Sequence, residues 1–177
     1  MNIEYEVRVL EINKEELITK LESLNATFKG EYSQRRYVYN TIPKVDGKWL
    51  RLRTNGKETT LTYKSVEKDS IDGTKELEVI VSDFEKTNEL LEKIGVKSKG
   101  YQENKRTQYV LDGVEIDIDS WPLIPTYVEI EGKNEESVNL MIKKLGLENN
   151  KVTTLDVQSV YKEVYNIDIS KIEVLKF

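Results

Sequence analysis

The chain has 177 residues, 32 acidic against 27 basic for a net charge of −5, and 38% of it is hydrophobic, enough to bury one core. Cysteine and histidine are both absent, which excludes disulfides, thiolate metal sites, histidine bases, Ser-His-Asp triads and imidazole zinc centres. Any resident metal must therefore sit on carboxylates, which suit hard ions such as Mg²⁺ or Mn²⁺. The charge balance favours neither nucleic acid nor an anionic membrane, and no apolar run is long enough to span one, so a cytoplasmic protein is expected.

The first predicted strand, over 2–11, contains "IEYEVRVLE". With a period of two, Ile3, Tyr5, Val7 and Val9 share one face, and Glu4, Glu6 and Arg8 share the other. A helix over 14–25 follows, with Asn13 as N-cap and Leu17, Leu21 and Leu24 on one side. Strands are predicted over 31–41, 48–55, 58–66 and 74–82, separated by the turn signals "VDG", "TNG" and "DG". In the second strand Arg35 and Arg36 lie on opposite faces, so at most one faces inward, and neither is assigned to the site. Arg51 and Arg53 share one face of "WLRLRT", as do Glu76 and Glu78 in "KELEV".

A second helix begins at "SDFE", where Ser82 and Glu85 have capping-box spacing, and ends before Gly95. Strands over 98–111, 113–121 and 125–132 come next, joined by "LDG" and "WPLIP". "VEIDIDSW" aligns Glu115, Asp117 and Asp119, and "YVEIEG" aligns Glu129 and Glu131. A helix over 134–145 stops at Gly146, and a short one is expected near 155–165. No linker is rich in Gly, Ser or Pro, so one domain over 1–177 is expected, its neighbouring strands largely antiparallel.

A charged strand face is usually a solvated one. Here, however, like charges recur at alternate positions, where they repel unless something of opposite charge lies between them. Eight strands suffice to close a barrel, and closure with the apolar faces outward turns the charged faces into a lumen. That lumen would gather Glu4, Glu6, Glu76, Glu78, Asp117, Asp119, Glu129 and Glu131 against Arg8, Arg51, Arg53, Lys64 and Arg106. Burying so many charges requires partners of both signs, and a metal–polyphosphate complex supplies them.

These segments resemble the CYTH superfamily, the triphosphate tunnel metalloenzymes. The resemblance rests on "EYEVR" near the N-terminus, similar to an E-x-E-x-K signature, and on an ordered set: "LRLR" at 50–53, "LTYK" at 61–64, "ELEV" at 76–79, "KRTQY" at 105–109, "DID" at 117–119 and "VEIE" at 128–131. It implies an α+β fold: a closed, eight-stranded antiparallel tunnel with helices packed outside. It also implies a metal site from Glu4, Glu6, Glu129, Glu131 and an aspartate, Asp119 in preference to Asp117. Arg8, Arg51, Arg53, Lys64 and Arg106 would bind phosphate, with Glu4, Glu6, Arg53 and Lys64 carrying catalysis and Glu76 and Glu78 as a supporting acidic pair. Two positions depart from the pattern: the signature lysine is Arg8, and Asn104 stands where a lysine is expected. Lys105, of opposite parity, could replace it only through a bulge.

The family contains inorganic and thiamine triphosphatases and class IV adenylate cyclases. The resemblance accordingly implies metal-dependent hydrolysis of a small-molecule triphosphate, with conversion of ATP to cyclic AMP and pyrophosphate as the alternative and a polyphosphate-binding module as a third reading. A monomer or homodimer is expected. Trp49, Trp121 and Tyr127 read as packing or rim residues, and Lys162 as a solvated helix lysine.

Overall fold

The computed structural model describes residues 1–177. Its strands are β1 (Asn2–Val9), β2 (Thr27–Asn40), β3 (Lys48–Thr54), β4 (Thr59–Val66), β5 (Thr74–Ile80), β6 (Ser98–Leu111), β7 (Val114–Ser120) and β8 (Tyr127–Gly132). They follow the order β6-β2-β3-β4-β5-β1-β8-β7, and a β7–β6 pairing closes the ring. Every contact around that ring is antiparallel. The expected eight-stranded barrel is thus the fold, and closure leaves no free edge to template aggregation.

Local chemistry explains the turns and helix ends. The β6–β7 hairpin reverses at Asp112 (φ 52) and Gly113 (φ 77), the two positive dihedrals that a tight hairpin turn demands. β2 begins earlier than 31 because a register shift at Gly30 (φ 148) carries the pairing with β6 back to Thr27. Helix α1 (Lys14–Ser23) is capped by Asn13, which accepts from the Glu15 and Glu16 amides. For α2 (Phe84–Lys93) the cap is Asp83 and not the expected Ser82; Asp83 Oδ1 accepts from the Lys86 amide at 2.9 Å. Helix α3 (Glu135–Leu145) has a full capping box between Asn134 and Ser137 and ends at Gly146 in the left-handed region.

Helices cover the apolar outside of the wall. Val7, Val9, Ile116, Ile118, Val128 and Ile130 lie beneath Leu17 and Leu21 of α1 and Val138, Met141 and Leu145 of α3. Each such buried side chain contributes roughly 1.5–3 kcal/mol relative to exposure. Phe84 and Leu91 of α2 cover Tyr39 and Leu52. The opposite parity of the same strands then has only the lumen to face.

The region after α3 is less regular than a short helix. A two-residue strand, β9 (Val152–Thr153), pairs with β1. The helix α4 (Val157–Ser159) widens into a π-helical turn over Val160–Val164, and a 3-10 turn follows at Ile169–Lys171. Finally β10 (Val174–Leu175) runs parallel to β6. Tyr161, Val160 and Ile169 pack there against Leu10, Trp121 and Tyr127. No helix is long and apolar enough to cross a membrane.

Candidate active site in the barrel lumen

The lumen holds a cavity of about 770 Å³ with charge segregated across it. One wall, on β2 and β3, presents Arg36, Arg51 and Arg53. Arg36 and Arg53 are cross-strand partners. Arg53 makes no ion pair or side-chain hydrogen bond, and Arg51 reaches only Glu78 at 3.6 Å and the Thr62 hydroxyl at 3.5 Å. Crowding shows in their protonation: Arg51 and burial lower Arg53 to about 10. Burial, followed by Arg51 and Arg53, lowers Arg36 to about 9. A concentration of positive charge with only Glu78 paired to it is what an anionic ligand would relieve.

The facing wall is acidic. Carboxylate oxygens of Glu4, Glu6 and Glu131 lie within 4.8 Å of one another. β1 supplies the first two and β8 the third, with Glu6 directly opposite Glu131 in register. Burial, then Glu6 and Glu4, pushes Glu131 up to about 8. Glu4 rises to about 7 through burial and Glu6, against the pull of Lys64. Three hard oxygen donors crowded within one small space fit a divalent cation such as Mg²⁺ or Mn²⁺.

The remaining charged residues balance one another. Lys64 donates to both Glu4 oxygens at 2.8 and 2.9 Å and lies 3.3 Å from Glu76. Arg106 contacts Asp117, Asp119 and Glu129, each at 2.5 Å. Burial opposes its charge, but the three carboxylates outweigh burial and hold its proton more tightly than usual. Glu129, despite burial, is held well below the ordinary carboxylate range by Arg8 and Arg106. Asp117 is raised to about 7 by burial, with Arg106 opposing.

The site residues expected from sequence therefore divide three ways. Glu4, Glu6 and Glu131 come together as a metal-type cluster. Asp117 and Glu129 line the cavity around Arg106, while Asp119, the preferred aspartate, is wholly buried behind that arginine and does not line it. Arg51 and Arg53 face the cavity largely free of partners, whereas Arg8, Lys64 and Arg106 are bound to carboxylates. Arg8 also explains its own departure from lysine. Its fork reaches Glu129 at 2.7 Å, Glu6 at 3.2 Å and the Leu155 carbonyl at 2.8 Å, three partners that an ammonium on a single stem serves poorly. Glu76 and Glu78 meet Lys64 and Arg51.

Arg36 is the residue that sequence reasoning left unassigned. Arg35 points outward to Glu85 at 3.2 Å, and Arg36 points in. Parity divided the pair but could not choose, because Tyr37, Val38 and Tyr39 put apolar groups on both faces of β2. No bulge brings Lys105 inward: the β6–β7 register is regular, and its ammonium sits 4.7 Å from the Phe177 ring. Trp121 and Tyr127 are buried packing residues, Lys162 is exposed, and Trp49 lines the cavity.

A closed antiparallel barrel with an arginine wall opposite a carboxylate wall defines the class of tunnel protein that the sequence motifs resemble. The chain belongs to the CYTH domain family, whose model matches residues 2–162; the family includes triphosphatases and class IV adenylate cyclases and is metal-dependent in general. No curated protein matches the sequence. Among solved structures, a Pyrococcus horikoshii protein is 26% identical with a TM-score of 0.76, covering 87% of this chain and 96% of its own. A conserved hypothetical protein of Pyrococcus furiosus is 25% identical with a TM-score of 0.77, covering 87% of this chain and 97% of its own. The fold is shared with a Hippeastrum protein studied as an adenylyl cyclase and described as having a dominant triphosphatase activity. It is 18% identical with a TM-score of 0.63, over 93% of this chain and 96% of its own.

Proposed function

We propose that this protein hydrolyses a triphosphate in the lumen with the help of a divalent cation. The observation that carries the reading is the pairing of two like-charged clusters across one cavity: Arg36, Arg51 and Arg53 opposite Glu4, Glu6 and Glu131. A phosphate chain together with its divalent cation, laid between them, would satisfy both. An ion on the three glutamates would offset charge on that chain as its anhydride bond breaks. The arginines bind and align the phosphoryl oxygens, with Arg53 and Arg36 contributing most because neither is neutralised by a carboxylate. Asp117 lines the cavity with its Oδ2 held by Arg106, and helps to hold that guanidinium in place. Water adds to the terminal phosphorus, the bridging P–O bond breaks, and orthophosphate leaves with the shortened chain.

Lining chemistry favours a substrate without a base. Of the 36 residues around the cavity only six are hydrophobic, which offers phosphate oxygens many partners and a nucleobase few. The runner-up is attack by the ribose 3′-hydroxyl of ATP on its own α-phosphate, giving cyclic AMP and pyrophosphate. The same two walls would serve it, and Trp49 on the lining offers a ring.

The test is a product assay on purified protein with Mg²⁺ or Mn²⁺ and tripolyphosphate, thiamine triphosphate, ATP and GTP in parallel. Orthophosphate release, fastest from tripolyphosphate and abolished by EDTA, is expected. Cyclic AMP and pyrophosphate as the main products from ATP would transfer the assignment to the cyclase. Tight binding of all four without turnover would reduce the protein to a binding module.

A further inference from the structure

Arg36 is oriented by a neutral side chain. Only 8% exposed, it has no carboxylate within ion-pairing distance, and its Nε has no partner. Its guanidinium sits 4.1 Å from the Trp121 ring centroid, and its Nη2 donates to Asn104 Oδ1 at 3.1 Å. Asn104, 1% exposed, then donates through Nδ2 to Asp119 Oδ1 at 3.2 Å. Asp119 accepts in turn from Arg106 Nε at 2.8 Å and Nη2 at 2.5 Å. A continuous chain of hydrogen bonds thus joins two lumen arginines on different strands, and Asn104 is its middle link.

We propose that Asn104 is a positioning residue for the triphosphate, fixing Arg36 relative to Arg106 while leaving the Arg36 charge free for a phosphoryl oxygen; this rests on the phosphate-binding role assigned to the lumen. The residue type follows from the two bonds. A carboxylate would hold Arg36 as firmly but would neutralise it and repel Asp119. A lysine would have no acceptor for Arg36 and would repel it. A short amide offers one acceptor and one donor, with no net charge. The cation that a lysine at this position would have supplied comes instead from the neighbouring strand β2, as Arg36. Loss of the amide frees the guanidinium to turn away and leaves buried Asp119 short of one donor.

The experiment is calorimetric titration with inorganic tripolyphosphate in EDTA, so that binding is read without turnover. The unaltered protein is compared with Asn104→Ala, Arg36→Ala and the double variant, with melting followed in each. Asn104→Ala is expected to weaken binding roughly five- to ten-fold, the scale of one oriented hydrogen bond to a charged group. Arg36→Ala weakens it further, and the double variant matches Arg36→Ala, because Asn104 acts through Arg36. Asn104→Asp, which keeps an acceptor for Arg36, is expected to bind no better than Asn104→Ala. Should Asn104→Ala fail to fold, Asn104→Ser takes its place in the cycle. Unchanged affinity in the Asn104 variants, or additive losses in the double variant, overturns the inference and leaves the phosphate-binding role standing. Absence of any binding by the unaltered protein overturns that role and the inference with it.

Discussion

Arg53 faces the cavity with no ion pair, so its charge is fully available to a ligand. Arg53→Ala is expected to cost roughly 2–3 kcal/mol in kcat/KM, the scale for losing a charge-assisted contact to the reacting group. Arg53→Lys should recover part of this, since the charge stays and the planar fork goes; full recovery would mean that geometry is irrelevant there. Glu131 is the cleaner probe of the metal site than Glu4, because Glu131 makes no ion pair and Glu4 holds Lys64. Its folded-state pKa of about 8, against an ordinary 4.5, means the folded form binds the proton more tightly than the unfolded chain. Metal-free stability should therefore fall as pH rises from about 4.5 through 8, and Glu131→Gln should remove part of that fall, about 1–2 kcal/mol. Chemical denaturation in EDTA at pH 6 and 8.5 measures it. Equal slopes with pH in both proteins would detach Glu131 from the acidic cluster. At this scale much was legible, because a side chain's parity in a strand decides which wall it joins. Legibility ended where pairing decided the role: Arg106 and Arg53 share a residue type, yet three carboxylates hold one and none hold the other.

The elements were legible where pattern and punctuation agree. Alternation placed β1 and the lumen side of β3, β5, β7 and β8, while Asn13 marked one helix start and Gly146 one helix end. Asn134→Ala should cost about 1 kcal/mol of stability, the ordinary value of an N-cap, in urea denaturation. The segment after α3 was not legible in detail, since β9 and β10 are two residues each and owe their form to docking rather than to periodicity. Arg8 ties that segment down through the Leu155 carbonyl while β9 pairs beside it. Arg8→Lys is accordingly expected to speed amide exchange at Leu10, which donates to the Lys151 carbonyl, while α3 amides keep their protection. Equal loss of protection in both places would mean global destabilisation instead.

For the molecule as a whole, helices on the outside and closure of the ring assign the inward faces a single shared space. No individual strand reveals this; the repetition of like charges along several strands does, since such faces persist more readily when opposite charge lies between them. The resulting lumen sets Arg36 and Arg53, free of carboxylates, on one side against the crowded Glu4, Glu6 and Glu131 on the other, and its function turns on what that arrangement does to a phosphate chain. A time course of ³¹P spectra on tripolyphosphate with the purified protein tests it most directly. With Mg²⁺ or Mn²⁺, orthophosphate and pyrophosphate resonances should grow together as the central phosphorus signal of the substrate disappears, with no growth in EDTA or in Glu131→Gln. Persistence of the tripolyphosphate spectrum in the presence of either ion, or equal turnover in EDTA, would contradict the account.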